Sequence, residues 1–336
     1  MSPSLLVAPK GGRETASSRY RIHDLLPALR ASGWTIDLLT ASRDRSRRLR
    51  SAARDAAHLV RSHDVLLVQR PGRRREELVL LRAAAVRSRV VAIDVDDPMG
   101  EQGAAGWAVG AASVALVGNS SLVPVYAGRI AQVHVVPTGL DVSLYDPSDR
   151  IDERVVGWIG DGPAYADSLV RMARGVAGAG PPWRLRIVGT LGDDLLEAAL
   201  SEASRGIDLE LVPSIEWESE RAVAAEVARF TVGLAPFRDL YGTSFKTVQY
   251  LAAGVVPLVE AGGAAEAHAR LALGDDAFVV EPGDTAGLAA ALRTLDDDRL
   301  LSEHGRRARS AAEATYSHEL VARQVDSALR RALERA

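Results

Sequence analysis

Twelve short apolar runs punctuate the chain, and their texture limits the fold more than any other feature. In the first half they are SLLVAP (4–9), TIDLLT (35–40), DVLLVQ (64–69), RVVAIDV (89–95), SVALVG (113–118) and VHVVPT (133–138). In the second half they are RVVGWIG (154–160), RLRIVG (184–189), DLELVP (208–213), TVGLAP (231–236), VVPLVE (255–260) and AFVVEP (277–282). The runs are continuously apolar more than alternating, as strands are when helices cover both faces of their sheet. Between them lie stretches of helical periodicity or composition at 20–32, 44–61, 72–87, 165–178, 193–205, 218–229 and 284–293. Strand and helix in alternation imply the α/β class with doubly wound parallel sheets. Six runs, a connector and six more runs predict two such sheets.

The connector is PTGLDVSLYDPSDRIDE (137–153), rich in Pro, Gly, Asp and Ser and without periodicity. That texture marks a hinge. A length of 336 residues accommodates two domains of roughly 150 residues each. The expected division is a first domain over 1–140, a linker over 141–153, a second domain over 154–315 and a closing helix over 316–336. That helix, SHELVARQVDSALRRAL (317–333), is amphipathic and follows no strand, so it is expected to pack back on the first domain. Two Rossmann-like domains facing across a cleft would place a ligand at the carboxyl ends of the strands.

Composition closes several routes. The chain has no Cys, which excludes disulfides, thiolate catalysis and Cys-ligated metals. Its seven His lack the spacing of a metal motif, and His23 and His134 read as helix-face and strand residues. No apolar stretch is long enough for a membrane span, and the start MSPSLLVAPKGG is too short for a signal peptide, so the cytoplasm is the expected compartment. Net charge is −3, but residues 1–150 sum to +6 and 151–336 to −9, consistent with two separately built halves. The stretch 42–61 sets Arg43, Arg47, Arg50, Arg54 and Arg61 near one side of a helix, opposite Leu49, Ala53, Ala56 and Val60. A solvated face is the plain reading, and weak peripheral contact with an anionic inner membrane face is the alternative. Nothing in the composition calls for a nucleic-acid partner, and the Arg- and Ala-rich usage points to a GC-rich bacterial genome.

One site stands out. Of 41 Lys and Arg residues only Lys10 and Lys246 are lysine, and Lys246 lies in YGTSFKTVQYLAAGVVPLV (241–259). Gly242, Thr243 and Ser244 precede a helix expected to start near Phe245. Amides and hydroxyls at a helix N-terminus cradle anions, and Lys246 adds a mobile point charge beside them. The structural alternative is a Thr243 or Ser244 cap with an exposed Lys.

Several segments, in order, resemble family-4-type (group 1) glycosyltransferases of the GT-B fold. They are RYRIHDLLPALRASGWTIDLLT, VHVVPTGLDVSLYDP, VVGWIGDGP, LRIVGT, VPSIEW, FKTVQYLAAGVVPLV and ATYSHELVARQVDSAL, which together span nearly the whole chain. The resemblance implies transfer of a sugar from a nucleotide-diphosphate sugar to an acceptor, with retention of configuration and without an obligatory metal or other cofactor. It implies that the second domain holds the donor and the first the acceptor, whether a glycan, a lipid-linked sugar or a small molecule.

It also directs attention to particular residues. Breaking a glycosyl–diphosphate bond makes the leaving group more negative, so the site needs donors and positive charge aimed at it. Lys246 fits, with Gly242, Thr243 and Ser244 around it and Arg238 as a helper. Gln249 stands where the family has the second Glu of E-x7-E, the ribose contact, and Tyr241 stands in place of the first. Asp239 is the nearby carboxylate that can stand in for that first Glu. The family's Arg and Lys after the first strand of the donor domain are missing from GWIGDGPAYADSL. There Gly160 and Gly162 permit close backbone approach to a ligand, with Asp161 in the same turn. G-D-G-P-A-Y lacks the third glycine of the dinucleotide fingerprint, which argues against an NAD site. Trp217 falls where the family places its base-binding loop and reads either as a stacking residue or as a packed one. In the first domain, Gly11 and Gly12 of PKGGRE can bring amides to the diphosphate or form an ordinary turn. IDVDDP offers Asp94, Asp96 and Asp97; the Asp-x-Asp pattern also occurs in metal-dependent glycosyltransferases of the other fold, but two matched halves favour GT-B. Asp96 or Asp97 then contacts acceptor or sugar, or caps a strand-to-loop junction. The departures at Tyr241, Gln249 and the missing basic pair keep a second class open, a catalytically silent GT-B protein that binds a nucleotide sugar or a partner enzyme.

Overall fold

The computed structural model describes residues 2–40, 53–71, 75–100, 102–147, 153–237 and 240–336. The chain divides into two compact units, one of residues 1–140 with 317–336 and one of residues 141–316. Arg43, Arg47, Leu49, Arg50, Arg238 and Asp239 lie outside the described residues.

The first unit is a parallel sheet in the order β2-β1-β3-β4-β5-β6. Its strands are β1 (Ser4–Ala8), β2 (Thr35–Leu38), β3 (His63–Gln69), β4 (Ser88–Val95), β5 (Val114–Val117) and β6 (Gln132–Val135). Leu5 pairs with Val65, Val65 with Val90, and Ala92 with Val114, so the strand centres align. Leu5 and Val7 enter one apolar cluster and Leu6 the opposite one. Both faces are therefore covered, which is why the runs read as continuously apolar.

The helix His318–Arg335 belongs to this unit. Its Val321, Ala322, Val325, Ala328, Leu329 and Ala332 recur at helical spacing and are buried with Leu25, Leu26, Leu29 and Trp34. Trp34 Nε1 donates to Asp326 Oδ1 at 2.6 Å, satisfying the indole. Arg330 donates to the Ser32 carbonyl at 2.7 Å and lies 5.4 Å from the Trp34 ring centroid.

The segment expected as one helix over 20–32 is instead broken. A π turn covers Arg19–His23, and an α-helix restarts at Leu26–Ala31. Pro27 has no N–H for the His23 carbonyl, so the α ladder cannot pass through. In the widened turn Arg21 reaches Asp94, with Nη2 2.6 Å from Oδ1. Of the arginines expected along 42–61, Arg54 and Arg61 are described. Arg54 donates to Thr40 Oγ1 at 2.6 Å, and Arg61 lies 3.6 Å from Asp37 Oδ2. No described helix is long and apolar enough to cross a membrane.

The second unit is a parallel sheet in the order β12-β11-β10-β7-β8-β9. Its strands are β7 (Val155–Ile159), β8 (Arg184–Val188), β9 (Leu209–Val212), β10 (Val232–Ala235), β11 (Val256–Glu260) and β12 (Phe278–Val280). The order reverses direction between β7 and β10, the point at whose carboxyl ends open α/β sheets bind their ligands. Trp158, Met172, Leu185, Ile187, Leu234, Leu258 and Leu288 fill one face of the sheet.

Candidate active site

Two glycines shape the carboxyl ends of β7 and β8. Gly160 ends β7 at φ +151°, and a Cβ there would meet the Trp158 ring at 3.2 Å and Lys246 Cε at 3.6 Å. Gly189 ends β8 at φ +103°, and its Cβ would lie 1.9 Å from the Gly160 carbonyl oxygen and 3.0 Å from Trp217. Only glycine fits either place. Gly160 N–H donates to the Val188 carbonyl at 3.0 Å and Gly162 N–H to the Gly189 carbonyl at 2.8 Å, which locks the two strand ends together. Asp161, in the same turn, is exposed, and its Oδ1 accepts from Ala164 N–H at 3.4 Å.

Lys246 sits above this turn. Its Nζ is 4.3 Å from the Tyr165 ring centroid and 5.4 Å from that of Trp158. Those two rings are 5.6 Å apart and tilted at 59°. Aromatic faces attract an ammonium by roughly 0.5–2 kcal/mol without neutralising its charge. The slot between a glycine backbone and two rings suits a compact ammonium, which a guanidinium is not. Here the sequence oddity acquires a physical setting.

The residues around Lys246 are held by a specific set of bonds. The helix Phe245–Ala252 starts after Ser244, whose backbone is left-handed at φ +43°. Ser244 Oγ lies 2.9 Å from Thr247 Oγ1, and Thr247 N–H donates to the Ser244 carbonyl at 2.9 Å. The Ser244 side chain makes no capping bond to the first amides of the helix. Gln249 is buried one turn on, and its Nε2 donates to Tyr145 OH at 3.2 Å. Tyr241 and Gly242 lie on the approach to the helix, with Tyr241 exposed and Gly242 half-buried.

Three contributors escaped the sequence reading. Buried His268 places Nε2 3.0 Å from the Thr243 carbonyl oxygen and Nδ1 2.6 Å from Tyr316 OH. Burial pushes the His268 pKa down to about 4, so the imidazole is neutral, and it pushes the Tyr316 phenol up. Glu260, at the end of β11, accepts from Phe237 N–H at 2.9 Å and from Gly283 N–H at 3.0 Å. It thereby ties down the loops that follow β10 and β12. The aromatic pair under Lys246 is the third. A charged residue closing an apolar run, as in VVPLVE, was the available signal for Glu260; the other two come from pairings distant in sequence.

Trp217 is half-buried, donates from Nε1 to Ser214 Oγ at 3.2 Å, and stands against Gly189. The structure thus gathers Gly160, Asp161, Trp217, Gly242, Thr243, Ser244, Lys246 and Gln249 in one unit, in or near the carboxyl-end loops.

The first unit holds the remaining expected residues. Gly11 N–H donates to Ser18 Oγ at 3.0 Å and Gly12 N–H contacts Glu14 Oε1 at 3.3 Å. Gly11's carbonyl oxygen is 3.2 Å from His23 Nε2. Both amides therefore serve the local turn in this state. Asp94 is buried against Arg21, and burial drives its pKa up while Arg21 opposes that shift. Arg21 Nη1 also donates to the Val136 carbonyl at 3.0 Å and to Thr138 Oγ1 at 3.1 Å. Asp96 and Asp97 share Arg70, whose Nη1 lies 2.9 and 2.6 Å from their oxygens. Among the described residues no group of three or more His, Asp or Glu is placed to hold a metal ion.

Residues 153–298 match the family model described as glycosyl transferases group 1. No curated protein sequence matches the chain. Among solved structures, sucrose-phosphate synthase from Thermosynechococcus elongatus superposes with a TM-score of 0.74 at 15% identity, covering 100% of both chains. Anabaena HepE in complex with UDP-glucose superposes at 0.71 and 14% identity, covering 98% of this chain and 99% of that one. A glycosyltransferase from Rickettsia africae gives 0.72 at 10% identity, covering 100% of both. At such identities the likeness is one of fold, whereas the family match concerns the second unit's own sequence. The chain thus has the fold of the GT-B glycosyltransferases it superposes on, and its residues 153–298 match the group 1 glycosyl transferase family.

Proposed function

We propose that the chain transfers a sugar from a nucleotide-diphosphate sugar to an acceptor hydroxyl, with retention of configuration and without a required metal. The second unit binds the donor and the first the acceptor. The observation that carries this reading is the placement of Lys246 against Gly160 at the strand end, on a helix that begins beside it. A diphosphate seated there meets an ammonium and the positive end of a helix. The same charges stabilise it as it leaves. In the reaction the acceptor oxygen bonds to the anomeric carbon on the face the diphosphate departs. The C–O bond electrons go to the diphosphate oxygen, and the acceptor's proton is taken up by that leaving group.

Support also comes from solved GT-B proteins holding UDP or UDP-glucose, HepE among them. Uridine is accordingly the first base to try. Gln249 is read as a ribose contact through its amide, with Tyr145 fixing the side chain. Trp217 is read as the wall of the base pocket, beside Gly189. Asp239, Asp97, Arg238, Asp161, Gly11 and Gly12 remain proposed contributors to the same chemistry. A cytoplasmic location fits the use of a nucleotide sugar.

The second reading is a catalytically silent GT-B protein that binds a nucleotide sugar or a partner enzyme. What favours it is that Tyr241 and Gln249 replace two carboxylates, and that Gln249 is already engaged with Tyr145. A panel of nucleotide sugars, assayed for slow donor hydrolysis and for transfer to a broad acceptor set, separates the two. The expected result is turnover of at least one donor, unaffected by EDTA, falling about 100-fold in Lys246→Ala. Binding without turnover across the panel supports the silent reading, and activity lost on chelation contradicts metal independence.

A further inference from the structure

We infer that His268 is a positioning residue for the donor loop, holding the Thr243 carbonyl so that the turn at Ser244 aims the helix terminus and Lys246 at the diphosphate. This deepens the donor-site reading above and rests on it. The geometry fixes the direction of each bond. A carbonyl oxygen only accepts, so the ring nitrogen 3.0 Å from Thr243 O must carry a proton. The buried imidazole is neutral, which leaves Nδ1 as an acceptor for Tyr316 OH at 2.6 Å. The Tyr316 ring stands nearly perpendicular to the imidazole, at 86°, and is itself buried. Tyr316 thus selects the tautomer and His268 spends its one N–H on the loop.

The loop has reason to need such a hold. Ser244 is a non-glycine residue in the left-handed region, a conformation that persists only where the surroundings over-determine it. On its helical side it is gripped by Thr247, through side chain and backbone. On its other side the carbonyl of Thr243 belongs to the peptide that leads into Ser244, and His268 grips that. Release of this carbonyl lets the peptide rotate, which redirects the amide of Ser244 and tilts the start of the helix that bears Lys246. The consequence is felt at the phosphate end of the ligand and not at its base.

Titration of the full-length protein with UDP, ADP, GDP and dTDP by calorimetry, and with the matching nucleosides by ligand-observed NMR, tests this. If the wild type binds none of the four diphosphates, the donor-site reading fails and this inference falls with it. If it binds one, His268→Leu is expected to weaken that diphosphate about tenfold while changing the nucleoside affinity less than about twofold. His268→Gln, whose amide can donate from near the Nε2 position, is expected to return diphosphate affinity to within about threefold of wild type. Unchanged diphosphate affinity in His268→Leu overturns the inference. So does an equal loss for diphosphate and nucleoside, the signature of a merely structural role. Should His268→Leu fail to fold, Tyr316→Phe replaces it: selective weakening of the diphosphate supports the inference, and wild-type affinity overturns it.

Discussion

At the scale of single residues, burial and charge together decide what each group can do. Lys246 is placed over two rings, so its ammonium stays attractive to an anion. His268 is buried with a pKa of about 4, against an ordinary value of 6.5. The unfolded chain therefore takes up a proton at this residue below pH 6.5 that the folded chain refuses until about pH 4. Stability contributed by neutral His268 is complete above pH 6.5 and is lost as pH falls toward 4, by about 3 kcal/mol in all. Urea unfolding at pH 7 and pH 4.5 should show a drop that is smaller in His268→Gln by most of that amount. An equal drop in both proteins contradicts the assignment. Lys246 was visible in the sequence because composition made it rare, whereas His268, Tyr165 and Trp158 were not: their roles arise from neighbours brought together only by folding.

Elements carry these residues to their places. The strands were legible because a strand covered on both faces must be apolar throughout, as the clusters on either side of Leu5 and Leu6 show. The segment 20–32 has an intact helical periodicity, yet Pro27 interrupts its ladder and splits it into a π turn and a short α-helix. Nothing in IDVDDP announces that Asp94 meets Arg21 from another element. At the ends of β7 and β8 the backbone itself lines the candidate site. Gly189→Ala would press a methyl group against the Gly160 carbonyl at an unfavourable φ. We expect a loss of about 2–4 kcal/mol in denaturant unfolding, together with weaker nucleotide binding in the fraction that folds. Wild-type stability in that variant would mean the two turns are not packed as described.

The whole molecule is two α/β units that differ in charge and in what their carboxyl-end loops display. Its first unit pairs its acidic strand-end residues with Arg21 and Arg70, while its second sets a lysine on aromatic rings at the corresponding end of the sheet. The group 1 domain match falls on the second unit, where that lysine lies. The class of the fold was readable from strand and helix alternation. The candidate donor corner was readable only in outline, because the groups around Lys246 come from positions scattered along the chain. The central claim, that this lysine receives the diphosphate of a nucleotide sugar, is tested most directly by calorimetric titration of nucleoside diphosphates, UDP first, into wild type and Lys246→Ala. Loss of affinity by about tenfold or more in the variant, with thermal stability retained and nucleoside binding unchanged, is the predicted result. Equal affinity in the two proteins would contradict it.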